Sequence, residues 1–325
     1  MTRVTPADFP DELTLKLKKI ADLRYGENPQ QSAAVYGAAD SVPGIAQAKQ
    51  LQGKELSYNN IQDADAALEC VAEFDEGACV ILKHMNPCGV ALGASPLDAY
   101  RKAYACDTTS PFGGIVAFNR ALDKEAAEEI GKIFIEVIIA PEINADALAV
   151  FSSKPNVRML ECAVPDKRAK TIVLKTVGGG YLAQTRDAIV VDPNAKPKVV
   201  TKREPTAAEW RDMKFAFEVV KHLKSNAIVY ARDGATVGIG AGQTSRIYAA
   251  KIAAIKASDA GISLKNSVMA SDAFFPFSDT VDAAHEAGAS AIVQPGGSIR
   301  DQESIDKANE YGMAMIFTSV RHFRH

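Results

Sequence analysis

Lys83 and His84 close the apolar run ACVIL and lead straight into Asn-Pro-Cys-Gly at 86–89. A short apolar run reads as a buried strand and an Asn-Pro pair as a turn. Reacting groups in α/β proteins gather at such strand ends. Histidine is the usual general base near neutral pH, and a neighbouring ammonium disfavours protonated imidazole, which suits a base. A strand-end histidine bonded only to backbone is the plainer alternative, and the motif alone does not separate the two. It does not build a zinc deaminase site. That chemistry needs His-x-Glu and Pro-Cys-x-x-Cys, whereas Asn86 stands in the Glu position and Ala91 in that of the second Cys.

Four other segments have suggestive residue types. GIGAGQTSR at 238–246 is glycine-rich, yet Gln243 replaces both the P-loop Lys and the third Gly of a dinucleotide fingerprint. What survives is a backbone that a ligand could approach, with Arg246 near a helix start, or simply tight packing. SDAFFPFSD at 271–279 offers a Phe wall between Asp272 and Asp279, either a stacking surface or core; Phe275 and Phe277 individually read as core. The terminus SVRHFRH holds two Arg and two His in its last five residues, a solvated tail by default and otherwise an anion site. In RYGENPQQ, Arg24 beside Tyr25 could clamp a phosphate and stack on a ring, although a solvated loop is the simpler reading.

The elements that would position these residues alternate. Periodicity predicts helices over 63–74, 96–105 and 122–133 and strands over 78–82, 114–118 and 137–140. This is the rhythm of an α/β fold, with a buried sheet covered by helices. Residues 156–200, with short β-like runs, GGG at 178–180 and DPNAKPK at 192–198, read as a connecting region, and helix signals resume over 206–221. An internal echo links ACVILKHMNPCGVALGASPLDAYRKA to NAIVYARDGATVGIGAGQTSRIYAAK. Each runs strand, turn, small-residue strand, helix, and so suggests duplicated units over 1–200 and 201–325.

The bulk composition agrees. At roughly 150 residues per domain, 325 residues suggest two domains, and 47% hydrophobic with 24% charged residues supports a large core. A net charge of −3 opposes general nucleic-acid binding. MTRVTPADFP has no signal-peptide core, and the longest apolar run, 134–143, is about half a membrane span and holds Glu136 and Glu142. A cytoplasmic protein with no membrane partner is expected. Its five cysteines, with no CxxC pair, read as reduced thiols.

LRYGENPQQ, GKELSYNNIQDADAALE, VILKHMNPCG, SPFGGIVAF, FIEVIIAP, SNAIVY, GIGAGQTSRI, MASDAFFPFSD, VQPGGSIRD and RHFRH occur in this order over 20–325. Together they resemble the transformylase domain of the bifunctional purine-biosynthesis enzymes, which formylate 5-aminoimidazole-4-carboxamide ribonucleotide (AICAR). The resemblance implies two linked cytidine-deaminase-like three-layer units without zinc, and a homodimer with active sites shared across its interface. It implies 10-formyltetrahydrofolate as cosubstrate, formyl-AICAR and tetrahydrofolate as products, no catalytic metal, and a structural potassium ion. By position, His84 matches the general base and Lys83 the transition-state stabiliser beside it. Arg24, Tyr25, Gly113, Asn226, Arg246, Phe274 and Arg321 match AICAR contacts, and so does Glu136, where some members have Asp. Asn226 is also a candidate to orient the carboxamide or bear the oxyanion. Ile247, Asp279, Ser298 and Ile299 match folate contacts. Ser278 replaces an Arg common in relatives. Because so little precedes Arg24, no IMP cyclohydrolase activity is expected in this chain, and a cyclohydrolase would be a separate partner. The rival expectations are an inactive nucleotide-binding remnant and a zinc deaminase on the same fold.

Overall fold

The protein is described by a computed structural model covering residues 9–38, 44–167, 169, 171–190 and 197–325. Most of the DPNAKPK stretch and the extreme N-terminus lie outside the described residues. In chain order the elements are β1 (Lys18–Leu23), β2 (Ala33–Gly37), β3 (Lys49–Gln52), α1 (Tyr58–Val71), β4 (Ala78–Lys83), β5 (Asn86–Leu92), α2 (Pro96–Cys106), β6 (Gly114–Phe118), α3 (Lys124–Ile130), β7 (Ile135–Ala140), α4 (Ala145–Val150) and β8 (Arg158–Glu161). There follow β9 (Ile172–Val177), β10 (Gly180–Thr185), β11 (Lys198–Val199), α5 (Ala207–Val220), β12 (Ile228–Arg232), β13 (Ala235–Gly240), α6 (Arg246–Asp259), β14 (Val268–Ser271), α7 (Asp279–Ala287), β15 (Ala291–Gln294), α8 (Asp301–Glu310) and β16 (Ala314–Phe317).

One twelve-stranded sheet runs β11-β16-β15-β14-β12-β13-β5-β4-β6-β7-β8-β3. Read outward from the β13–β5 contact, the two sets of six follow one plan. Each has a central hairpin, then three mutually parallel strands, then a short antiparallel edge strand. The sequence echo is therefore a structural repeat. Helices sort into two layers because alternate residues of each strand face opposite ways. Val80 and Leu82 join α1 and α5 in one core that spans both halves. Cys79 and Ile81 face α2, α3 and α4, and α6, α7 and α8 cover the corresponding face of the second half.

Local chemistry fixes the paired helices α1 and α5. Each starts in a capping box, Ser57 with Asn60 and Thr206 with Glu209, which satisfies two otherwise orphaned N–H groups. The small-residue strands are explained by close helix approach. A Cβ on Gly89 would lie 1.9 Å from the Ala103 carbonyl oxygen, and one on Gly240 would lie 1.9 Å from that of Ala249. Packing thus accounts for Gly240 in GIGAG, while a Cβ on Gly242 (φ 67°) would meet Lys224 Cβ only at 4.0 Å.

Several expectations change. Residues 156–200 are more than a connector. β8 is a sheet strand too short to register as a periodic pattern, and β9 and β10 form a separate hairpin turned at Gly178–Gly179. The turn after β4 is His84–Met85, with φ 53° and 59°, and Asn86 and Pro87 already belong to β5. Phe275 is core as read, but Phe277 is half-exposed beneath the Arg300 guanidinium. All five cysteines are free and buried. Among the described residues no helix is long and apolar enough to cross a membrane.

Candidate active site

β5 runs antiparallel to β13, with Ala91 opposite Ala235. The start of β5 therefore shares an edge of the sheet with the end of β13, and across it the Lys224 N–H donates to Asn86 Oδ1 at 3.0 Å. This single edge carries every residue singled out from the sequence on the sheet strands and their adjoining loops. In strand order it runs from Glu136 near the start of β7, through Gly113 before β6 and the His84 turn, to Asn226 before β12 and Asp272 after β14.

Around His84 is a pocket of about 470 Å³ lined by Tyr25, Lys83, His84, Gly113 and Glu136, within the usual size for small-molecule sites. Arg24 is not among the lining residues; its guanidinium lies 5.6 Å from the ring centre of Tyr25, which is. Sequence reasoning missed Lys54, Asn60, Asp63, Asn156 and Arg158, which also line the pocket. Asn60 and Asp63 follow Ser57 at three-residue intervals, the spacing of one helix face. Asn156 and Arg158 lay in the presumed connector. Asn60 Nδ2 donates to Glu136 Oε2 at 2.7 Å, and Arg158 Nη1 lies 3.7 Å from the same oxygen. Lys83 Nζ donates to the Phe112 carbonyl at 2.7 Å. The His84 and Met85 N–H groups both donate to the Asp63 carboxylate, at 3.1 and 2.7 Å. Burial lifts the Asp63 carboxyl above its ordinary range, with the Met85 and His84 N–H groups acting in the opposite direction.

A second set surrounds Asp272. Arg246 is buried and donates to Asn226 Oδ1 (2.8 Å), Ser271 Oγ (2.9 Å) and Asp272 Oδ1 (2.9 Å). Asp272 Oδ2 is buried with no hydrogen-bond partner among the described residues. Phe274 is partly exposed beside it, and Ile247, Asp279, Ser298 and Ile299 lie on the elements that follow β13, β14 and β15. Ser278 caps α7 without a side-chain hydrogen bond.

The C-terminal tail is tied down, which the default expectation of a solvated end did not anticipate. His322 is 1% exposed, its Nδ1 lies 2.7 Å from Asp187 Oδ2, and its ring packs edge-on against Phe217. The His322 N–H donates to the Asp272 carbonyl. Arg324 pairs by backbone and Ser225 Oγ with the Ser225 loop and reaches Glu69 Oε2 at 3.3 Å. Phe323 is 43% exposed, and His322 is the buried anchor of the tail. Arg321 is exposed, its guanidinium 4.4 Å from the Phe323 ring centre.

The first set converges on one pocket, and the second does not join it. None of Asn226, Arg246, Phe274 or Arg321 lines the His84 pocket. Asp272 stands four strand intervals from β4, or roughly 20 Å at the usual strand spacing.

Residues 1–256 match the family described as AICARFT/IMPCHase bienzyme. The chain is 59% identical over 329 aligned positions to a protein of Bradyrhizobium diazoefficiens named bifunctional purine biosynthesis protein PurH, covering 98% of this chain and 62% of that protein. It is 56% identical over 315 positions to a protein of the same name from Rhizobium leguminosarum bv. trifolii, covering 94% and 58%. The chain thus spans about three fifths of the length of these relatives.

Proposed function

The chain belongs to the AICARFT/IMPCHase bienzyme family, and we propose that it transfers the formyl group of 10-formyltetrahydrofolate to the 5-amino group of AICAR. The observation that carries this reading is the convergence of Tyr25, Lys83, His84, Gly113 and Glu136 on one pocket. The amine is a weak nucleophile because its lone pair is delocalised into the imidazole and carboxamide. His84 takes its proton as nitrogen attacks the formyl carbon; the new N–C bond forms, the bond from formyl carbon to folate N10 breaks, and the proton ends on N10. General-base help supplies about 10²–10⁴-fold. Holding amine and formyl in contact and stabilising the oxyanion supply the rest. Lys83 and Asn226 are the candidates for the oxyanion and the carboxamide, and Arg24 and Arg321 for the phosphate.

The separation of the two residue sets favours a homodimer in which the Asp272 side of one chain completes the His84 pocket of another. On this reading Arg246, Phe274 and Arg321 meet AICAR from the partner, and Ile247, Asp279, Ser298 and Ile299 hold folate there. The halves 1–200 and 201–325 are taken as deaminase-like units. Among the described residues no three His, Cys, Asp or Glu side chains are grouped to hold a metal ion. The unpartnered Asp272 Oδ2 fits a structural monovalent cation such as potassium, since a buried carboxylate oxygen calls for a partner; the ion would hold loops and take no part in the chemistry.

A steady-state assay with AICAR and 10-formyltetrahydrofolate tests the proposal. Tetrahydrofolate and formyl-AICAR should appear in equal amounts. Tight AICAR binding without turnover would leave a nucleotide-binding remnant instead.

A further inference from the structure

The His84 ring makes no hydrogen bond among the described residues, so its aim is set by its backbone. That backbone is held in an unfavourable form. His84 and Met85 both have positive φ, 53° and 59°, as a two-residue type I′ hairpin turn requires. Such turns favour Asn-Gly or Asp-Gly, because a β-carbon in the left-handed region crowds the following carbonyl. Neither His nor Met belongs to the preferred pair. What holds the turn is Asp63 on α1, whose two carboxylate oxygens each accept one of its N–H groups.

The second half contains the same device without the strained sequence. Asp212 on α5 accepts the Asp233 and Gly234 N–H groups, each at 2.9 Å. Asp63 and Asp212 are 149 residues apart, as are His84 and Asp233. There the turn is Asp-Gly, which takes the conformation unaided. The carboxylate clamp is therefore a feature of the repeat, and only in the first half does it hold a turn that its own residues disfavour.

We propose that Asp63 is a positioning residue for His84, fixing the imidazole by clamping the backbone that bears it. This rests on His84 acting as the base in the proposed transfer. Neutralising one oxygen, in Asp63→Asn, leaves one acceptor and frees one N–H of the turn. Small misplacements of a reacting group cost up to about 100-fold. Asp63→Asn should therefore lower kcat by about 10- to 100-fold, with the AICAR KM changed far less.

The decisive measurements pair Asp63→Asn with Asp212→Asn, each alone and with His84→Ala. Asp212→Asn should change thermal stability and leave kcat near that of the wild type. In the His84→Ala background Asp63→Asn should cost nothing further, as two residues acting through one group are non-additive. Met85→Gly, which makes the turn easier to form, should restore part of the lost kcat to Asp63→Asn. A second readout is independent of turnover. The His84 Cε1–H resonance, identified by its loss in His84→Ala, should shift or broaden in Asp63→Asn and not in Asp212→Asn. An unmoved resonance would overturn the inference whatever the reaction. So would an Asp63→Asn kcat within twofold of an active wild type, or the same fold loss with and without His84. An inactive wild type whose resonance does respond to Asp63→Asn would sink the formyl-transfer reading and leave the clamp standing.

Discussion

The two halves of this chain share a frame and differ in what the frame holds open. At a separation of 149 residues, Ser57, Asp63, Lys83 and His84 answer to Thr206, Asp212, Arg232 and Asp233. Lys83 donates to the Phe112 carbonyl and Arg232 to that of Lys265, both at 2.7 Å. Part of what Lys83 does is therefore structural and shared by the second half. The clearest divergence is at the helix caps. Asn60 reaches Glu136 at 2.7 Å, and its counterpart Glu209 receives Ser290 Oγ at 2.6 Å. The carboxylate has moved from the strand to the helix, and Arg203 seals it with hydrogen bonds of 2.9 and 2.8 Å to Glu209. Arg203 answers to Lys54, which lines the open pocket. One cation closes the second half onto itself, while in the first half carboxylate, amide and lysine remain available to a ligand.

The comparison is broken most directly at the turns. His84→Ala should lower kcat by about 10²–10⁴-fold, the scale of general-base catalysis, while Asp233→Ala leaves kcat within a few-fold of the wild type. Comparable losses in both would show that the turns serve folding alone. Next is the tail. If Arg321 meets the substrate phosphate, Arg321→Met removes a charge-assisted contact worth about 2–4 kcal/mol and raises the AICAR KM by about 30- to several-hundred-fold. Thermal stability should hold, since Arg321 is exposed and its guanidinium lies over the Phe323 ring. Deleting 321–325 would also remove buried His322 and the Arg324–Glu69 contact, so that truncation should lower Tm as well. Unchanged AICAR kinetics in Arg321→Met would remove this residue from the site. A smaller contrast lies in the sealed and open caps. Arg203→Ala strands the buried Glu209 carboxylate and should cost about 2 kcal/mol of stability, read by denaturant unfolding. Lys54→Ala should leave stability nearly unchanged and raise the AICAR KM several-fold. The reverse pattern would mean that the pocket is assigned to the wrong half.

Much of this frame is written locally. The buried strands 78–82 and 114–118, the helices after Pro96 and Thr206, and the duplicated order were all legible, because period and caps are properties of neighbouring residues. The His84 turn was misplaced by two residues, since Asn-Pro is a turn signal in sequence and Asp63, which decides the matter, lies 21 positions away. β8 has four residues and depends on β7 and β3 for its existence. The family motifs named His84, Gly113 and Glu136, which do converge. They could not show that Lys54 and Arg158 share the pocket, because those contacts arise only when β3, β7 and β8 come together. What anchors the tail was likewise invisible from composition. The anchoring depends on Asp187, Phe217 and Glu69, drawn from three distant segments.

The finest test of the comparison uses one pair of equivalent carboxylates with opposite surroundings. Glu69 faces Arg324 at 3.3 Å and Arg186 at 3.6 Å. Its counterpart Glu218 is 8% exposed and, among the described residues, has Lys214 as its ion-pair partner at 3.8 Å, because the tail crosses one half and not the other. Burial raises the Glu218 carboxyl from its ordinary 4.5 to about 7, with Lys214 opposing. Between these values the folded chain keeps a proton that the unfolded chain releases. Stability linked to this group is therefore fully present below about pH 4.5, is lost as pH rises toward 7, and stays lost above it. The full span would be about 3 kcal/mol, and relaxation around the group should leave on the order of 2. Glu218→Gln keeps the shape and abolishes the ionisation. Its Tm should equal that of the wild type near pH 4.5 and exceed it by a few degrees at pH 8. Glu69→Gln, which strips two arginines of their partner, should instead lower Tm at pH 8. If both substitutions move Tm in the same direction at pH 8, the tail does not distinguish the halves in the way proposed.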